Sequence, residues 1–178
     1  DAQFVSYYPI RTGSEDSFPR LRKPILAELR KHNADIMMDM LTLDIDNPAK
    51  IDQKTGETVH TAWQDSQEIY AFLSRLDALA NDCSIAWKCT AFYSTRGGCR
   101  LIYVLNQPIQ VDQAEGKIRW LVKKFRDYGF NADPKCCDWT RLFRLPFVVR
   151  DEQPSWQDNP EPIVMYLPEI KSLPSDFG

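Results

Sequence analysis

Three short stretches of this 178-residue chain carry side chains suited to chemistry. The first is Asp44-Ile45-Asp46. On an extended strand, residues two apart project from one face, so both carboxylates point together while Ile45 points to the core. Two neighbouring carboxylates at a strand end repel each other unless a cation lies between them, and oxygen-rich sites of this kind suit Mg2+ or Mn2+. The plainer alternative is that Asp46-Asn47-Pro48 only turns the chain after a strand.

The second stretch runs Tyr93-Ser94-Thr95-Arg96-Gly97-Gly98-Cys99-Arg100. Glycines let backbone amides approach a phosphate closely, and Arg96 and Arg100 supply charge-assisted hydrogen bonds. It is no Walker loop, because the GK[ST] ending and the following helix are absent. An ordinary hairpin turn explains the glycines equally well. The third stretch is Ala132-Asp133-Pro134 with Arg141-Leu142-Phe143-Arg144 beyond it. Arg141 and Arg144 lie three apart, so on a straight strand they face opposite sides. An arginine among Leu and Phe needs an acceptor, either a protein carboxylate or a ligand phosphate. Together the three stretches offer acids from two strands, a phosphate-sized glycine loop and arginines, which is the equipment of two-metal phosphoryl transfer.

The elements that must hold these residues follow from periodicity. Ala2–Tyr8 predicts a strand, and Pro24 opens a helix with Ile25, Leu26 and Leu29 on one side. Met38–Ile45 predicts a strand, followed by a polar loop or hairpin to Ala62. Asp65 caps the clearest helix, with Glu68 three residues on and the stripe Ile69, Phe72, Leu73, Leu76 and Leu79. Ile85–Tyr93 and Cys99–Leu105 predict a hairpin turning at Ser94–Gly98. Asp112 caps a second helix with the stripe Ile118, Leu121, Val122 and Phe125, and Gly129 ends it. A bent strand is expected over Leu142–Val149, then a proline-rich stretch with an edge strand at Ile163–Leu167. From Met38 the order is strand, helix, strand, strand, helix, strand: an α/β (α+β) fold of split βαβ type, with two helices on one face of an antiparallel sheet.

In these three segments the chain resembles the archaeo-eukaryotic primase superfamily, in its primase-polymerase branch found in phages, plasmids and some cells. That family carries an acidic pair, a later S-x-H motif, and a hydrophobic-Asp motif with arginines downstream. The resemblance spans about Met38 to Arg150. It implies that Asp44, Asp46 and Asp133 are the catalytic metal ligands for two ions, Mg2+ or Mn2+. It implies nucleotide contacts from Arg100, Arg141, Arg144 and Arg150, to which the glycine stretch read above would add Ser94, Arg96, Gly97 and Gly98. Gly98-Cys99-Arg100 stands where S-x-H is expected, a departure from the family pattern in which Arg100 would have to supply the histidine's contact with the incoming triphosphate. The implied fold is an RNA-recognition-like βαββαβ palm against a smaller N-terminal α/β portion. One catalytic domain is expected over residues 1–178, with the palm core at about 38–150 and a wrapping tail or linker at 151–178.

The resemblance implies template-directed nucleotidyl transfer in DNA replication, with single-stranded DNA template, primer and (d)NTPs as partners and a helicase or accessory domain in the full-length protein. Composition is compatible: 43% hydrophobic and 26% charged residues are those of a globular chain. A net charge of −3 does not advertise a nucleic-acid binder. The bases are clustered, however, at Arg20–Lys23, Arg30–Lys31, Lys117–Arg126 and Arg141–Arg150, although Lys117–Arg126 reads as a solvated helix face. No apolar run approaches the roughly 20 residues of a membrane span. The start at Asp rather than Met is what a trimmed N-terminus gives. Five cysteines without CxxC spacing point to reduced thiols in the cytoplasm, with a zinc site at Cys136-Cys137 the weaker alternative.

Two competing readings come from other classes. A non-catalytic single-stranded nucleic-acid-binding module would stack bases on Phe92, Tyr93 or Tyr103. A replication-initiation nuclease wants two histidines one residue apart, and this chain has only His32 and His60.

Overall fold

The computed structural model describes residues 4–5, 37–82, 89–137, 143–144, 149–150, 153–154, 163–166 and 174–177. Strand β1 is Phe4–Val5, and β2 is the ten-residue strand Met37–Asp46. β3 (Ala49–Ile51) and β4 (Thr58–His60) form a small exposed hairpin, and helix α1 covers Ser66–Asp82. β5 (Ala91–Thr95) and β6 (Gly98–Gln110) follow, then α2 (Val111–Asp127) and a 3-10 turn at Pro134–Cys137. Short strands β7 (Phe143–Arg144), β8 (Val149–Arg150), β9 (Gln153–Pro154) and β10 (Val164–Tyr166) complete the described elements.

The fold is mixed α/β, built on a four-stranded antiparallel sheet in the order β10-β5-β6-β2. β6 therefore lies between β2 and β5, the two strands that α1 connects in the chain. The free side of β2 pairs at its C-terminal end with residues 131–133 through an antiparallel bridge between Ile45 and Ala132. That short segment occupies the place the sequence suggested for Leu142–Val149. β7 instead pairs with β1 in a separate two-stranded sheet, and β8 pairs with β9. The substitution is physical: Phe130, Ala132 and Cys136 are buried, and one bridge plus two flanking hydrogen bonds is enough to fix the segment.

One apolar core joins the sheet to the helices. Alternation along β2 and β6 buries Leu41, Leu43, Ile45, Cys99, Leu101 and Tyr103. From α1, Ile69, Leu73, Leu76 and Leu79 enter the core, and from α2, Ile118, Leu121, Val122 and Phe125, at the spacing of a helical stripe. Asp65 caps α1: its Oδ1 accepts from Gln67 N at 2.8 Å and Glu68 N at 3.1 Å. At α2 the expected cap shifts. Gln110 is the N-cap and makes no side-chain capping bond, while Asp112 sits inside the first turn, where its charge still favours the helix dipole. Gly129, at φ +80°, ends α2 as expected. The β10 edge strand is present at Val164–Tyr166, and Phe177 buries itself against Trp120. The expected helix at Pro24 lies outside the described residues. No described helix is long and apolar enough to cross a membrane.

Candidate functional site

Strand register decides which side chains share a face. Asp44 pairs with Arg100 on β6, and Arg100 pairs in turn with Tyr93 on β5. Directly paired residues project to the same side of a sheet. Asp46, two residues on from Asp44, joins that side. On the other flank of β2, Asp133 N donates to Asp44 O at 2.8 Å and Asp46 N donates to Asn131 O at 3.0 Å. Asp133 is thereby the cross-strand neighbour of Asp44. Three acids from two segments some 90 residues apart in sequence meet on one sheet face, next to Arg100.

Arg100 is the organising cation. Its Nε donates to Asp44 Oδ1 at 3.2 Å and its Nη1 to the Tyr93 hydroxyl at 3.1 Å. The guanidinium carbon also stands 5.3 Å from the centre of the Phe143 ring and 5.7 Å from that of Tyr93. Burial alone would lower the Arg100 pKa, but Asp44 and then Tyr93 outweigh it and raise it above its ordinary value. Burial raises the Tyr93 pKa, and Arg100 offsets part of that rise.

Below the face, the site is tied to the core. Asp44 N donates to the buried thiol Cys136 Sγ at 3.2 Å. Asp133 Oδ1 accepts from Lys135 N at 2.9 Å, which starts the 3-10 turn carrying Cys136. The two adjacent cysteines therefore serve differently: Cys136 is a buried acceptor under Asp44, and Cys137 is partly exposed. No group of three or more His, Cys, Asp or Glu side chains among the described residues is placed to hold a metal ion. The donor set itself, three carboxylates on one face, is the oxygen-only chemistry that suits Mg2+ or Mn2+.

The glycine stretch makes a tight hairpin turn rather than an open cradle. Gly97 O accepts from Asn47 N at 2.7 Å, Arg96 O from Trp63 N at 3.3 Å, and Gly98 O from Trp63 Nε1 at 2.9 Å. Gly98 is needed for close approach: a Cβ there would lie 2.1 Å from Ile45 O. A Cβ at Gly97 would lie 3.2 Å from His60 Cβ. Ser94 is on the opposite face from the acids and buried, with its Oγ accepting from Ile163 N at 2.8 Å. Its hydroxyl is thus used inside the fold rather than turned to a phosphate. Arg96 is exposed at the hairpin tip. Arg144 and Arg150 fall on β7 and β8, outside the four-stranded sheet, and Arg141 lies outside the described residues.

Two features were not legible from sequence. His60, at the end of β4, brings Nε2 to 3.7 Å from Asp46 Oδ2. Beside Asp46 a cleft of about 290 Å3 opens, lined by Trp63, Phe72, Arg75, Phe130 and Asn131 among others. Arg75 lies over the Phe130 ring at 4.8 Å, and Phe72 meets both Trp63 and Phe130 edge to face. The Asn47-Pro48 turn and Phe72 in the apolar stripe of α1 are the sequence features nearest to either.

Comparison with protein-family models, with curated proteins and with solved structures gives no match.

Proposed function

We propose that this chain is a nucleotidyl-transfer domain that extends or starts a nucleic-acid strand on a DNA template. The observation that carries the reading is the placement of Asp44, Asp46 and Asp133 on one sheet face beside the part-buried Arg100. In this reading the four-stranded sheet with residues 131–133 on its flank is an RNA-recognition-like palm, and the resemblance to primase-polymerases is one of kinship.

Asp44, Asp46 and Asp133 would hold two Mg2+ or Mn2+ ions. When bound, such ions make a 3′-hydroxyl more nucleophilic and neutralise charge on the leaving pyrophosphate. The chain's own residues have the remaining tasks. The 3′-oxygen attacks the α-phosphorus, the bond to the pyrophosphate oxygen breaks, and the hydroxyl proton passes to solvent or a carboxylate. Arg100, held between Asp44 and Tyr93 on the same face, would supply positive charge to the phosphate as its charge grows. Arg96 at the hairpin tip extends the basic edge. The partners are then template, primer and nucleoside triphosphates, in the cytoplasm, where the unbridged cysteines of the described residues would stay reduced.

A non-catalytic binding module is favoured by one observation, that Arg100 already partners Asp44 as an internal ion pair. Its stacking platform is not available in the form the sequence suggested, because Phe92 and Tyr103 are fully buried and Tyr93 is 5% exposed. Single-stranded template, each nucleotide type and Mn2+ or Mg2+, with and without primer, separate the two. The expected result is metal-dependent incorporation, reduced at least a hundredfold in Asp44→Asn and Asp46→Asn proteins that keep their fold. Incorporation that survives both substitutions, or binding of template with no incorporation at all, contradicts the proposal.

A further inference from the structure

The residue next to Asp46 that no sequence motif singles out is His60, and its two ring nitrogens are in different situations. Nδ1 is 2.9 Å from Asn47 O. A backbone carbonyl only accepts, so Nδ1 carries the hydrogen. In the neutral ring this leaves the lone pair on Nε2, and that nitrogen is the one 3.7 Å from Asp46 Oδ2. Two acceptors facing each other at that distance are reconciled by something that bridges them, a water, a proton or a metal ion, and a divalent ion does so most strongly.

The surroundings hold the ring in this orientation. Asn47 is buried; its backbone N donates to Gly97 O at 2.7 Å, and its Nδ2 donates to Thr61 O at 2.9 Å. Thr61 returns to Pro48 O through both its backbone N, at 3.0 Å, and its hydroxyl, at 2.9 Å. The carbonyl that fixes the His60 tautomer is thus itself fixed, and Gly97 lies against His60 Cβ. A histidine whose Nδ1–H is tied to a rigid backbone carbonyl, with Nε2 exposed toward a carboxylate, is organised as a metal ligand. Two metal–ligand bonds of about 2.1 Å each are long enough to span the separation seen here.

We infer that His60 supplies a nitrogen ligand, through Nε2, to a divalent ion shared with Asp46. The inference rests on the proposed metal-dependent function and goes beyond it by adding a ligand that is not an oxygen. An imidazole beside carboxylates tilts such a site toward transition ions, so the ion taken is Mn2+ in preference to Mg2+.

The test is pulsed electron paramagnetic resonance of Mn2+ bound to the whole chain, read for nitrogen-14 modulation of the spin echo. The chain has two histidines, so His60→Gln and His32→Gln assign any imidazole signal. Modulation present in the native protein, kept in His32→Gln and lost in His60→Gln, is the expected result. Mn2+ affinity should also fall on the order of tenfold in His60→Gln, with Mg2+ affinity changing less. Mn2+ that binds with Asp44 and Asp46 dependence but shows no His60-derived modulation overturns this inference and leaves the proposed function standing. Native protein that binds no Mn2+ at all overturns both. Thermal melts of each variant establish that the fold is kept.

Discussion

At the scale of single residues, the ion pair between Asp44 and Arg100 governs the site. Both side chains are largely buried, at 10% and 14% exposure, so neither charge is well solvated without the other. Removing Arg100 leaves Asp44 under-compensated, and Arg100→Ala should lose about 3 kcal/mol of stability, the low end for a broken buried pair. A divalent ion should restore part of that loss, because it replaces the missing positive charge. The check is a thermal melt with and without Mn2+: the metal-induced rise in Tm should be larger for Arg100→Ala than for the native chain. A second residue-scale consequence concerns pH. Burial pushes the Cys89 thiol up to about 12 from its ordinary 9.0, and burial raises Cys99 in the same direction. A group with a raised folded pKa contributes stability that is complete below its unfolded pKa and is lost as pH climbs toward the folded one. Denaturant midpoints should therefore fall between about pH 9 and pH 12, and Cys89→Ala should show a shallower fall despite a lower starting stability.

At the scale of elements, what the sequence made legible is what repeats. The stripes of α1 and α2 carry four or five apolar residues each at helical spacing, and both helices form where that spacing puts them. The β5–β6 hairpin was marked by Gly97-Gly98 between two β-rich runs. Residues 131–133 carry no such mark, since a single bridge at Ala132 is too short for alternation, whereas the longer Leu142–Val149 run has the composition of a strand. Asp44, Asp46 and Asp133 were legible as acids, but their adjacency depends on that bridge. His60 was hidden for a related reason: its contact with Asp46 closes across the β3–β4 hairpin, whose register the exposed, polar sequence does not specify. Gly98 shows how tightly these elements meet. Gly98→Ala would drive a methyl group into Ile45 O, separating β6 from the end of β2 that carries Asp46. It should cost ~3 kcal/mol, at the upper end for overpacking. Urea unfolding measures that loss, and a midpoint equal to that of the native chain would contradict the close strand contact.

At the scale of the whole molecule, the candidate site is a product of topology. The acids come from an edge of the sheet, the arginine from its centre, and the histidine from a hairpin outside it, so the site forms only when β2, β6, the β3–β4 hairpin and residues 131–133 are all in place. Such a site should disappear cooperatively with the fold and not as a local loop opening. Localised cleavage tests whether Asp44, Asp46 and Asp133 hold a divalent ion. Fe2+ placed in the site and treated with peroxide cuts the backbone nearest the ion. Cuts clustered near residues 44–46, 98–100 and 131–133, suppressed by excess Mn2+ and absent from Asp44→Asn, are the result predicted. Cuts confined to other segments, or the same cuts in Asp44→Asn, would contradict it.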